Sequence, residues 1–175
     1  NIYIKDERQG PTSSFKDRQA AVTIAALKEA GITEMVAAST GNVAISYSAY
    51  ASRAGMKLWA FVTSLVPSVK MREIALYGSQ VIKITGSYDQ CKQVASEFAR
   101  QRHLYQDMGA RTITSIEAMK TIAFEIAEQL TAIQGPGENT QWRTPDWYVQ
   151  AISGGMGPLG VYKGFREMKQ MEWVD

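Results

Sequence analysis

Lys16 stands where the loop GPTSSF gives way to the helical pattern FKDRQAAVTIAALKEA. The first turn of a helix carries unpaired N–H groups and the positive end of the peptide dipole, so an anion is welcome there and a lysine is mildly disfavoured, by a few tenths of a kcal/mol. Two readings follow. Lys16 is either a solvated lysine at a helix start or an amine poised to lose its proton beside a bound anionic ligand. Two further stretches carry anion chemistry. In ASTGN, residues 38 to 42, Ser39, Thr40 and the Gly41 backbone offer hydroxyls and N–H groups to a carboxylate or phosphate, and the Asn42 amide can donate and accept. These residue types are also ordinary helix N-caps. In SGGMG, Ser153 to Gly157, the glycines Gly154, Gly155 and Gly157 flank Met156 and allow backbone amides to approach phosphate oxygens. Neither the dinucleotide fingerprint nor the P-loop pattern occurs.

Each of the three stretches sits where a strand pattern hands over to a helix pattern, and open α/β sheets bind ligands at such places. The opening IYIKDE alternates like a strand, and a helix follows to Gly31. Met35 to Ala38, Trp59 to Val62 and Val81 to Ile84 are expected as core strands. Helical spacing runs from TGN to Gly55, from about Ser68 to Tyr77 and from about Tyr88 to Gln101. Strands alternating with helices of this length predict a parallel sheet wrapped by crossovers. Residues 102 to 114 read as irregular. SIEAMKTIAFEIAEQL is an amphipathic helix with Ser115 as its cap and Glu117 in its first turn. DWYVQAI is expected as a strand, followed by the glycine turn and a helix holding VYKGFREM.

Among the 175 residues, 19 Lys and Arg oppose 17 Asp and Glu, and the net charge of +2 has no basic cluster, which argues against nucleic acid or a membrane surface as partner. The single cysteine, Cys91, excludes an internal disulfide and fits a reducing compartment; with no histidine beside it, a packing role is expected rather than catalysis or metal binding, and no metal site is expected. His103 lies in the polar stretch RQRHLYQD and reads as solvated surface. Tyr47, Tyr50 and Trp59 read as core and helix-packing residues. No apolar run reaches the roughly 18 residues of a membrane span, and the expected location is the cytoplasm. Both chain ends read as cuts through a larger fold.

YIKDE with GPTSSFKDR, then ASTGN, then the glycine turn, in this order and in these contexts, resemble the threonine synthases, members of the fold-type II pyridoxal-phosphate enzymes that also include serine and threonine dehydratases and cysteine synthases. KTIAFEIAEQL, PDW and YKGF add to the likeness. The resemblance implies parallel-sheet, three-layer αβα units of the tryptophan synthase β-like kind, with residues 30–113 forming a smaller α/β domain. Residues 1–29 and 114–175 would be an incomplete part of the larger, cofactor-binding domain. It implies pyridoxal 5'-phosphate as cofactor, with Lys16 bonded to it and later moving protons on the substrate. Asn42 would hydrogen-bond the cofactor's ring oxygen, Ser153, Gly154, Gly155, Met156 and Gly157 would cradle its phosphate, and Ser39, Thr40 and Gly41 would hold the amino acid's carboxylate. The implied reaction converts O-phospho-L-homoserine and water to L-threonine and phosphate, in a protein that is a homodimer at full length. One departure stands out: the tract before the helix at 115 reads GARTITS, which places the substrate-binding arginine at Arg111 and lacks the family's asparagine. That departure favours, as an alternative, a related elimination or replacement on another phosphorylated or hydroxylated amino acid. A relative that keeps the fold without turnover is a third reading.

Overall fold

The computed structural model describes residues 1–39, 41–136, 138 and 141–174. By their contacts these form two compact units, Asp6–Met108 and Asn1–Lys5 with Gly109–Asp175.

In the unit Asp6–Met108, helices and strands alternate: α1 (Lys16–Glu29), β1 (Glu34–Ala38), α2 (Asn42–Ala54), β2 (Lys57–Thr63), α3 (Ser68–Leu76), β3 (Gln80–Ile84), α4 (Tyr88–Gln101) and β4 (Tyr105–Gln106). The sheet is wholly parallel in the order β3-β2-β1-β4. Met35 pairs with Leu58, and Trp59 pairs with Gln80. Successive strand residues point to opposite faces, and both faces are covered, as parallel sheets require. Met35, Ala37, Leu58, Ala60 and Val62 pack under α1, α2 and α3 with Ala20, Ile24, Ala44, Tyr47 and Ile74. Val36 and Phe61 face the other way, onto Cys91, Ala95 and Ala99 of α4. Phe98 closes that layer with its ring 5.1 Å from Trp59 and 5.2 Å from Phe61.

Sequence patterns placed all three core strands and the first four helices of this unit to within a residue or two. Strand β4 was not expected. At two residues it is too short to show a period, and it exists because the edge of β1 pairs with it, Met35 with Tyr105 and Val36 with Gln106. The Asp107 amide extends the ladder by donating to the Val36 carbonyl at 2.9 Å. Helix α4 opens with a capping box, in which the Ser87 hydroxyl and the Gln90 side chain each accept the other's backbone N–H.

The other unit is built on α5 (Ile113–Gln134) and α6 (Met156–Gln170). Their axes come close because Gly160 and Gly164 of α6 face α5: a Cβ at Gly160 would lie within 2.7 Å of the Ile116 carbonyl oxygen, and one at Gly164 within 2.8 Å of Ala123 Cβ. Around this seam Lys120 pairs with Glu117 and Glu167, and Lys163 also reaches Glu117. Trp142 and Trp173 meet edge to face at 5.8 Å. Four expectations fail here. Ser115 is not the cap of α5; the helix starts earlier, after Thr112, and Ser115 is buried inside it with no hydrogen-bond partner for its hydroxyl among the described residues. Glu117 therefore falls in the second turn and serves the ion pairs instead. The strands expected at IYIKDE and DWYVQAI do not form: Ile2, Ile4, Trp147, Val149 and Ile152 are exposed. Alternation fixes which residues of a strand share a face, but a strand exists only when its N–H and C=O groups find a neighbouring strand. No described helix is long and apolar enough to cross a membrane.

Candidate active site

The loop before α1 is fastened at several points, and the fastening locates Lys16. Asp17, in the first turn of α1, accepts from the Thr12 amide at 2.9 Å and from the Thr12 hydroxyl at 2.6 Å. Gly10 lies against the same carboxylate so closely that a Cβ there would sit 2.4 Å from Asp17 Oδ2. The Lys16 amide donates to the Ser14 hydroxyl at 3.2 Å, and the Arg18 guanidinium grips Glu7 at 2.7 and 2.9 Å. Thr12 also shares a hydrogen bond of 2.9 Å with Ser46 of α2, and Gln19 donates to the Tyr47 hydroxyl at 3.0 Å. The first turn of α1 and the second turn of α2 thus lie side by side.

Lys16 itself is only 9% exposed, with Nζ 4.2 Å from the centre of the Phe15 ring. Burial pushes its pKa below the ordinary lysine value, and the Asp107 carboxylate opposes that in part. A solvated helix-start lysine has neither property. An amine whose charged form is disfavoured is what a covalent bond to a carbonyl cofactor needs.

Ser39 is buried at the end of β1, its amide donating to the Phe61 carbonyl at 3.1 Å and its hydroxyl accepting the Gly41 N–H at 3.3 Å. Thr40 lies outside the described residues. Gly41 precedes α2, whose first residue, Asn42, is exposed. A Cβ on Gly41 would be 3.4 Å from Lys70 Nζ, so α3 brings a cation to this loop.

In the other unit, Ser153 and Gly154 are exposed, and Gly155 takes a left-handed conformation, φ 83°, that suits glycine. Helix α6 begins at Met156, earlier than the sequence pattern implied, so Met156 and Gly157 are buried in its first turn. The turn folds back on Gln150, whose side chain lies 2.5 Å from where a Gly157 Cβ would be. Small residues ahead of a helix N-terminus fit a phosphate. Arg111 is exposed in the short 3-10 turn Gly109–Arg111.

The remaining residues weighed from sequence fall where packing or solvent claims them. Cys91 is fully buried, and burial raises its thiol pKa. His103 is exposed in a left-handed turn. Trp59 packs on Phe98, and its indole donates to Glu34 at 2.9 Å. Tyr47 is fully buried as expected, but its hydroxyl also donates to Asp107 at 2.9 Å. No group of metal-ligating side chains occurs among the described residues. Sequence reading missed Gln19, Lys70 and Asp107. The one available signal was the position of Asp107 at the carboxyl end of a strand, and that strand was too short to see.

The sequence pattern of the family described as pyridoxal-phosphate dependent enzyme matches residues 1–173. Threonine synthase from Methanocaldococcus jannaschii is 30% identical over 175 residues, which are 99% of this chain and 40% of that protein. Threonine synthase from Bacillus sp. (strain ULM1) is 35% identical over 170 residues, covering 97% of this chain and 45% of that protein. The chain therefore spans less than half the length of these curated relatives. Among solved structures, a hydrogen sulfide-producing enzyme from Fusobacterium nucleatum superposes with a TM-score of 0.83 at 21% identity, covering 99% of this chain and 52% of that one. The processed form of threonine deaminase isoform 2 from Solanum lycopersicum gives 0.79 at 21% identity, covering 97% and 44%. At such identities the structural likeness establishes the fold.

Proposed function

The chain belongs to the pyridoxal-phosphate dependent enzymes of fold-type II, and on that premise we propose that it is part of a threonine synthase, a carbon-oxygen lyase that converts O-phospho-L-homoserine and water to L-threonine and phosphate. The observation that carries the proposal is Lys16, a buried amine with a disfavoured ammonium form at the end of a loop fastened by Asp17. The similarity to threonine synthases over nearly the whole chain supports the choice of reaction.

Pyridoxal phosphate, when bound, supplies an electron sink for charge developing on the substrate's carbons. This chain's residues do the rest. Lys16 Nζ would be the group that bonds the cofactor, and its amine would hold and move a proton on the substrate. Burial disfavours the charged form of that amine. Asn42 orients the cofactor ring through its amide. Backbone N–H groups of Ser153, Gly154, Gly155, Met156 and Gly157 hold the cofactor phosphate. Ser39, Thr40 and Gly41 would take the substrate carboxylate, and the charge of Lys70 close to Gly41 adds to that loop's attraction for an anion. Arg111 meets the substrate's distal phosphate. In the intact protein, residues 1–29 and 114–175 belong to a larger cofactor-binding domain and 30–113 to a smaller one, and the protein works as a cytoplasmic homodimer.

A second reading, elimination or replacement on another hydroxylated or phosphorylated amino acid, is favoured by the tract around Arg111, where GARTITS offers a single cation. The test has two stages. Pyridoxal phosphate added to the chain, followed by borohydride, should leave a stable adduct on the peptide holding Lys16, and Lys16→Ala should abolish it; an adduct spread over surface lysines would sink the assignment. Release of phosphate and threonine from O-phosphohomoserine by the parent protein then supports the first reaction, whereas ammonia and an oxo acid from serine or threonine support the second.

A further inference from the structure

Lys70, like Lys16, stands in the first turn of a helix, where the peptide dipole disfavours a cation. It is half-buried and makes no hydrogen bond or ion pair with a described residue, not even with Glu73 one turn further along α3. Its Nζ reaches across to the loop between β1 and α2. A Cβ on Gly41 would lie 3.4 Å from that ammonium, and no other described atom beyond the chain neighbours of Gly41 comes within 4 Å of the same point. The space over Gly41 is therefore open except for one positive charge.

The other groups around Gly41 are donors as well. Ser39 is 7% exposed; its oxygen accepts the Gly41 N–H at 3.3 Å, and its own proton has no described acceptor. Gly41 caps α2 without a side chain, no acid stands in the first turn of that helix, and the amides of Asn42 and Val43 find no described acceptor. An ammonium, a buried hydroxyl proton and two amides thus surround one point, and no described carboxylate meets them. We infer that Lys70 is a specificity-determining residue, which pairs with an oxyanion of the amino-acid substrate seated over Gly41. The inference rests on the proposed role of the ASTGN loop as the place where the substrate is held. A lysine is a point charge without the planar fork of arginine, so it recognises a carboxylate and a phosphate alike. O-phosphohomoserine carries both. A neutral group over Gly41 would leave the half-buried ammonium without a partner, and Lys70 selects against such a ligand.

The first test reads Lys70 in the cofactor-free chain, by brief acetylation at constant pH and ionic strength with each lysine peptide quantified by mass spectrometry. Rising inorganic phosphate should protect Lys70 along a saturating curve while exposed lysines such as Lys169 keep their rate. Lys70 labelled equally fast at every phosphate concentration, or protected no more than Lys169, overturns the inference. The second test uses the parent protein, with L-homoserine, which has the carboxylate but no phosphate, as competitor. Lys70→Met should raise the KM for O-phosphohomoserine about 3- to 10-fold with a smaller change in kcat, and Lys70→Arg should restore most of it. If homoserine binding weakens equally, the partner of Lys70 is the α-carboxylate; if it is untouched, the partner is the distal phosphate. A KM unchanged in folded Lys70→Met overturns the inference, and Lys70→Gln decides in the same way if the methionine variant does not fold. The outcome is separable from the proposed function. Phosphate protection of Lys70 in a chain that forms no cofactor adduct on Lys16 would sink the function and leave this anion site, and the converse result would do the opposite.

Discussion

Lys16 destabilises the fold that holds it. Its folded-state pKa lies below the unfolded value because burial disfavours the charge, so between those two values the unfolded chain binds more protons, and stability rises with pH through that window. Below the lowered pKa the penalty is present in full. Lys16→Met should therefore raise the melting temperature at neutral pH, with the gain shrinking as pH climbs towards the ordinary lysine value, and should abolish the cofactor adduct. A melting series across pH that showed a constant difference would mean the lysine is not strained by burial. Gly10 illustrates the opposite case, a residue kept small for local structure. Gly10→Ala drives a methyl into Asp17, with contacts at 2.4 Å to Oδ2 and 3.2 Å to the carboxyl carbon, and should lower stability by about 1–3 kcal/mol in urea unfolding. Lys16 was legible as a chemical residue because a cation in a helix's first turn is a local misfit. Asp17 as the clamp on its loop was not legible, since nothing in the composition of PTSSFKD distinguishes a buried acid from a solvated one.

Helices α5 and α6 meet through glycine rather than through interlocking large side chains. A Cβ at Gly160 would sit 2.3 Å from Met119 Cβ and 2.7 Å from the Ile116 carbonyl, and neither atom is the free end of a flexible chain. Gly160→Ala should force the two axes apart at a cost of about 1–3 kcal/mol, although alanine is the better helix former by about 1 kcal/mol. A rise in the melting temperature of this variant would contradict the close approach. In the other unit α4 depends on its cap: Ser87→Ala removes the acceptor for the Gln90 N–H and should cost about 1 kcal/mol, detectable as faster amide exchange in the first turn of α4. Both helices were plain from their apolar spacing. The start of α6 was not, because MGPLG reads as a turn by its Gly and Pro content, yet Pro158 is well placed in a helix's first turn and Gly160 is selected by a neighbouring helix.

Ile2, Ile4, Trp147, Val149 and Ile152 stand 71–96% exposed in stretches that alternate like strands, and apolar surface of that extent promotes association. The isolated chain should run larger than a monomer in size-exclusion chromatography with light scattering, and the triple variant Trp147→Lys, Val149→Lys, Ile152→Thr should shift it towards monomer. Identical elution of the two would remove these residues as the cause. The same residues mark where sequence by itself stops. Local spacing determined the alternation of helix and strand in residues 16–101 and the parallel sheet there, because periodicity and turn chemistry are properties of neighbours along the chain. Whether IYIKDE and DWYVQAI are strands was decided only in three dimensions, since a strand needs a partner edge that no period encodes. The short β4 gained such an edge from β1, and with it Asp107 was carried to Gln19, 88 residues away along the chain. That meeting sets a carboxylate against the first turn of α1, and only the packing of β4 against β1 and of α2 against α1 could bring it about.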